Sequence, residues 1–222
     1  MDVNIGFIFW IAIVFIVVFF IYLAVRNQSR FQKLVAGLNE QGIQTKWNAG
    51  STFMGNFKGR DFSFSYSPGM NSMYSSTPSN INVEILSKNH PSASVIEVFS
   101  VQRKNLTDKI GETLGVWHKA ETGREEFDSK YFVSTHYEAA STAYLSKPVH
   151  QNQINRIFDL FPCHQLSFGQ DSVSAIFGDW ETIKISKDIL SLCTPEFVKN
   201  ILNEMIKLVE FSDENAEKQL DS

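Results

Sequence analysis

The chain has 222 residues and a net charge of −4, from 20 Lys and Arg against 24 Asp and Glu. With Arg26, Arg30 and Lys33 gathered in one short stretch, the remainder is acidic, which argues against a nucleic-acid partner because phosphate binding needs clustered positive charge. Cys163 and Cys193 stand far apart with no CxxC and no metal spacing, so they read as reduced thiols; a disulfide fits only a non-cytoplasmic domain.

Ile5 to Val25, IGFIFWIAIVFIVVFFIYLAV, carries no charge. At about 1.5 Å per residue, a helix of this length spans the roughly 30 Å hydrocarbon core of a bilayer. A cleaved signal peptide would have a shorter apolar core, a basic start and small residues at its end, and this stretch has none of these. The reading is a transmembrane helix over 5–25 preceded by a short external N-terminus, residues 1–4. Basic residues follow the span directly, so the positive-inside bias places the C-terminal part in the cytoplasm of a single-pass plasma (inner) membrane protein. Trp10 and Tyr22 suit interfacial anchors, and no small-xxx-small pair advertises helix dimerisation.

Residues 26–41 predict a juxtamembrane helix with Phe31, Leu34, Val35 and Leu38 in one stripe and Gly42 as its C′ residue. That stripe is expected to pack on a soluble domain over 42–211, the alternative being a helix lying on the lipid surface with the help of Arg30 and Lys33. Ile43–Trp47, Thr52–Phe57, Asp61–Tyr66, Ile81–Ile85 and Ala93–Arg103 read as five strands of an antiparallel meander. Between them, residues 67–80, SPGMNSMYSSTPSN, are either a docking loop or disordered. Asn105 or Thr107 caps a short helix with Leu106, Ile110 and Leu114. A loop from Gly115 to Asp128 leads to a strand over Tyr131–Tyr137. Helices begin at Glu138 and near Pro148, the latter with Ile154, Ile157, Phe158 and Phe161 on one face. Gln165–Gly169, Val173–Phe177 and Thr182–Ser186 are three short strands. Thr194 and Pro195 open a last helix with Phe197, Val198, Ile201, Leu202, Met205, Leu208 and Val209 apolar. Residues 212–222 read as a disordered acidic tail. The fold class is α+β: an N-terminal transmembrane helix, then a largely antiparallel sheet domain with packed helices.

The strong chemical signatures are missing: no GxxxxGK[ST], GxGxxG, GxSxG or HExxH. The best remaining constellation holds His118, Glu121, Thr122, Glu125, Glu126, Asp128, His136 and Glu138. His118 with Glu121, and His136 with Glu138, offer nitrogen and oxygen ligands to a divalent metal, but neither pair has a recognised spacing. Cys163-His164 are adjacent in sequence, whereas catalytic Cys–His pairs meet in space, so a buried cysteine is expected. No catalytic, cofactor-binding or metal residue is assigned, and no cofactor is implied. Asn105-Leu106-Thr107 is a sequon that a cytoplasmic domain does not use.

Gly115 to Thr135, GVWHKAETGREEFDSKYFVST, resembles the TGxxxFD stretch of poorly characterised bacterial single-pass membrane-anchored proteins, with Thr122, Gly123, Phe127 and Asp128 matching. GNFKGRDFSFSYSPG is similar to a GxxxGR hairpin and SPG turn that precede it there. The resemblance implies a Gly-containing loop leading into a strand, and no activity. Within it, Gly123 is expected at positive φ, Asp128 as an acceptor of backbone N–H groups, and Phe127 as a core anchor. The expected function is a binding or scaffolding module at the membrane, held by the bilayer through 5–25 and contacting a protein partner. The alternative is a membrane-tethered hydrolytic or metal-dependent enzyme around His118, Glu121 and His136.

Overall fold

The computed structural model describes residues 5–49, 51–67, 70–71, 76–77, 79–87, 97–104, 121–135, 138–169, 172–178 and 189–220. Its N-terminal element, α1, is one helix over Ile5–Glu40 rather than separate helices over 5–25 and 26–41. The reason is local: Arg26-Asn27-Gln28-Ser29-Arg30 contains neither Gly nor Pro, so nothing interrupts the hydrogen-bond ladder. At about 1.5 Å per residue the helix is roughly 54 Å long.

Its two halves live in different surroundings. Phe31, Leu34 and Leu38 are buried in the domain core, as their spacing predicts. The end is closed by a glycine cap: Ile43 N–H donates to Leu38 O and Gly42 N–H to Asn39 O, both at 3.0 Å, with Gly42 at φ 79°. Large apolar side chains from Phe9 to Val25, by contrast, stand in the open, Trp10 at 67% and Phe15 at 72% exposure. Among the described residues no helix is long and apolar enough to cross a membrane. The side chains at 5–8, 12, 20, 23 and 24 lie outside them.

The rest of the chain is α+β, built on an eight-stranded antiparallel sheet. Strands β1 (Gln44–Ala49), β2 (Thr52–Phe57), β3 (Arg60–Ser67) and β6 (Asn80–Leu86) follow one another, as a meander requires. The fifth expected strand, β7 (Glu97–Arg103), does not join them. It pairs with β8 (Tyr131–Thr135) and β9 (Cys163–Gly169), and β10 (Ser172–Phe177) takes the free edge of β6. The order is β1-β2-β3-β6-β10-β9-β7-β8. A separate ribbon, β4 (Met70–Asn71) with β5 (Ser76–Thr77), occupies the connection from β3 to β6, which thus carries paired strands.

The register sorts side chains into two kinds of row. Trp47, Phe53, Phe64, Val83, Ala175, Leu166, Val101 and Val133 are cross-strand partners across all eight strands. One residue along, the row reads Lys46, Met54, Ser63, Glu84, Ser174, Ser167, Ser100 and Ser134. Because side chains alternate between faces, the first row belongs to the core and the second to the opposite face.

Among the described residues there are four further helices: α2 (Glu125–Lys130), α3 (Glu138–Leu145), α4 (Pro148–Leu160) and α5 (Pro195–Leu220), the last preceded by a 3₁₀ turn, Ile189–Leu192. The stretch expected as a loop up to Asp128 therefore ends in a helix. Acidic residues in its first turn and the Lys130–Glu126 pair at 2.9 Å favour that ending. Thr194 caps α5 through its hydroxyl to Phe197 N–H at 3.1 Å, and Val198, Ile201, Leu202, Met205, Leu208 and Val209 are buried. Residues 212–220, expected disordered, continue α5 instead. Glu, Ala, Lys, Gln and Leu there are good helix formers, and Asp213 is tied to Arg60 at 2.6 Å and to the Ser87 hydroxyl at 2.6 Å. The expected helix over 105–114, the strand over 182–186 and the sequon lie outside the described residues.

Candidate functional site

The constellation expected to carry chemistry is only partly described. His118 and His136 lie outside the described residues, Glu121 and Glu125 are exposed, and among the described residues no three of His, Cys, Asp and Glu are grouped to hold a metal ion. What the structure does assemble there is a hydrogen-bonded brace. Thr122 N–H donates to both oxygens of Asp128 at 3.1 and 3.2 Å, and its hydroxyl donates to Oδ1 at 2.9 Å. Gln151 Nε2 then donates to the Thr122 hydroxyl at 3.4 Å and to Leu145 O at 2.6 Å. Gly123, at φ 76°, allows the chain to reverse between Thr122 and α2, and Phe127 is buried. These residues act as structure, because every polar atom named is occupied by a partner of the fold.

Cys163 is fully enclosed, as expected, and its thiol donates to Gln165 O at 3.5 Å. Burial pushes that thiol up, far from the thiolate a nucleophile needs. His164 lies on the neighbouring position of β9, half-buried, pointing to the other face.

The site that sequence reasoning missed lies between α4 and α5. A groove of about 660 Å³ is lined by Lys58, Arg156, Leu160, Phe161, Phe197, Asn200, Asn203, Glu204 and Lys207. Its organising group is Glu204, whose side chain is 11% exposed. Glu204 Oε2 accepts from Gln153 Nε2 at 2.8 Å, Lys207 Nζ at 2.8 Å and Arg156 Nε at 3.0 Å. Gln153 Nε2 donates also to Glu204 O at 2.9 Å, which joins the two helices at this point. The warning in the sequence is a glutamate set among Ile201, Leu202, Met205 and Leu208, an ion inside an apolar stripe.

Burial alone would raise the Glu204 carboxyl. Hydrogen bonds from Lys207 and Gln153 and the charges of Lys207 and Arg156 outweigh it, holding the group below the ordinary carboxylate range. A carboxylate saturated with donors is a poor base, so the groove suits binding rather than proton transfer. Three cations, Lys58, Arg156 and Lys207, and the amides of Asn200 and Asn203 share the groove with an apolar wall of Leu160, Phe161 and Phe197.

A depressed folded-state pKa contributes stability above the unfolded value of about 4.3 and loses it as pH falls through the folded value. The free-energy difference between the native chain and Glu204→Gln should therefore be greatest near neutrality and shrink on acidification below that window. Denaturant unfolding across a pH series reads it, and a difference that stays constant on acidification would contradict the ion-pair assignment.

No family model, curated protein or solved structure matches this chain.

Proposed function

We propose that this protein is a single-pass membrane-anchored binding or scaffolding module, its α+β domain held at the cytoplasmic surface and its α4–α5 groove offered to a protein partner. One observation supports the reading above the rest: α1 is unbroken between an apolar half whose described large side chains are nearly all exposed and a half whose stripe of Phe31, Leu34 and Leu38 is buried in the domain core. Residues 14–19 are six consecutive large apolar side chains, all exposed. At about 100° per residue they cover every side of the helix, so no single packed face can serve them. Such a segment in water is unfavourable by roughly 25 cal/mol per Å² of apolar surface, and a bilayer removes that cost. Arg26, Arg30 and Lys33 support the orientation.

The expected result is that the full chain stays in the membrane pellet through alkaline carbonate extraction. Phe15→Lys with Val18→Lys should release it, since a charge at the bilayer centre costs about 2.5–3.5 kcal/mol on insertion scales. A native chain recovered in the supernatant would overturn the anchor. An impermeant thiol reagent should miss Lys58→Cys, on the exposed β2–β3 turn, in intact cells and reach it after lysis; labelling from outside would reverse the orientation.

A further inference from the structure

We infer that the α4–α5 groove takes an extended acidic peptide whose carboxylate and large apolar side chain stand roughly three residues apart, an inference that rests on the groove being a protein-binding site as proposed above. The two helices give the groove a direction. The Phe161 ring, just past α4, lies 5.7 Å from Phe197 near the start of α5. Arg156 meets Glu204 at 3.0 Å, and further back the His150 ring lies 4.6 Å from Phe211. Residue numbers fall along α4 as they rise along α5, so the helices run antiparallel and the groove has two unlike ends. One is apolar, with Leu160, Phe161 and Phe197, and the other carries Arg156, Lys207 and Glu204.

The helix sets the distance between those ends. Glu204 lies seven residues past Phe197, about 10 Å along the helix axis. Extended chain rises about 3.3 Å per residue, so roughly three residues of peptide cover the gap. Asn200 and Asn203 stand between the ends. Each amide both donates and accepts, which matches the N–H and C=O groups of a peptide backbone. At about 660 Å³ the groove falls within the roughly 300–1,000 Å³ of ordinary ligand pockets.

Charge selects an acidic occupant. Lys58, Arg156 and Lys207 against Glu204 give the lining a formal charge of +2, three minus one, in a chain whose net charge is −4. Arg156 reaches Glu204 through Nε and Lys207 through Nζ, with side chains still 57% and 45% exposed. A guanidinium has five donors and an ammonium three, so both can serve a second carboxylate while Glu204 holds them in place. The neighbouring acid Asp159 lies outside this lining and faces Arg103 at 3.9 Å. Leu160, 56% exposed, and the Phe161–Phe197 pair form a wall that an inorganic anion would leave wet and an apolar side chain covers. A nucleic acid would also meet the acidic remainder of the chain, whereas a short peptide meets the groove alone.

The test uses the full chain in phosphatidylcholine nanodiscs, with short random peptides displayed on phage as the probe and sequencing of the retained phage as the readout. Peptides with Asp or Glu about three positions from an aromatic or large aliphatic residue should be enriched. Asn200→Asp, which adds negative charge at an exposed position without touching Glu204, should cut their retention several-fold. Leu160→Ser, also at an exposed position, should cut it through the apolar wall. Both variants should keep the native urea midpoint. Retained peptides without an acidic residue, lost in Leu160→Ser but not in Asn200→Asp, overturn the acidic occupant and leave the groove as a protein-binding site. Acidic peptides with no fixed spacing to an apolar residue overturn the two-ended site. Acidic peptides retained equally by all three chains overturn the groove as their docking place, and the groove reading above with it. No enrichment on the native chain overturns both as well, and a native dimer that Asn200→Asp splits then makes a second copy the occupant.

Discussion

Phe127→Ala should cost roughly 3–5 kcal/mol of stability, the usual range for truncating a buried phenylalanine once the cavity is included. Phe127 is 3% exposed, and its ring lies 4.7 Å from Tyr131, whose own ring lies 4.9 Å from Phe158 on α4. The side chain thus joins α2, β8 and α4. Burial pushes the Tyr131 hydroxyl up to about 12. A domain of ordinary stability has about 5–15 kcal/mol in hand, so one truncation here removes a large share. Urea unfolding of the full chain in detergent should show a lower midpoint at unchanged slope. Glu125→Ala, exposed on the same helix, should stay within about 0.5 kcal/mol of the native chain. A Phe127→Ala protein as stable as Glu125→Ala would mean that the brace does not hold α2 to the core.

The second large effect is expected at Asp213→Ala. Arg60 is 3% exposed at the side chain, Asp213 14%, and their atoms meet at 2.6 Å. Arg60 Nη1 is buried without a hydrogen-bond partner, so the guanidinium depends on Asp213 for compensation. Removing one member of a buried pair leaves an unpaired charge and typically costs about 3–5 kcal/mol. Replacing both, as Arg60→Met with Asp213→Leu, should recover most of that loss, because the desolvation penalty disappears with the charges. Unfolding of the two variants side by side distinguishes an ion pair from simple packing. An Asp213→Ala chain of native stability would show that the end of α5 is not docked on β3.

The contrast between these two residues shows how far the chain alone could be read. Phe127, Gly123 and Asp128 were legible because their roles depend on near neighbours in sequence: a glycine that tolerates positive φ, a carboxylate six residues from the N–H it accepts, a lone aromatic beside them. The apolar faces of α4 and α5 and the cap at Thr194 were legible for the same reason, since helical periodicity and capping are properties of a few consecutive residues.

Position 213 was misread because its meaning is set 153 residues away, at Arg60. A polar, acidic segment forms an ordered helix or none according to whether a distant cation meets it. The place of β7 was misread likewise. Strand alternation tells which face a residue shows, but β10 and β7 offer β6 equally suitable apolar partners, and only the return of the chain through α4 and β9 decides between them. Glu204 completes the set. The sequence by itself determined an α+β domain and most of its described elements, because local propensity and periodicity specify these. Which strands became neighbours, where α1 continued into the core, and how Gln153, Arg156 and Lys207 converged on one carboxylate were decided only by tertiary structure, because each depends on side chains brought together by packing rather than by spacing along the chain.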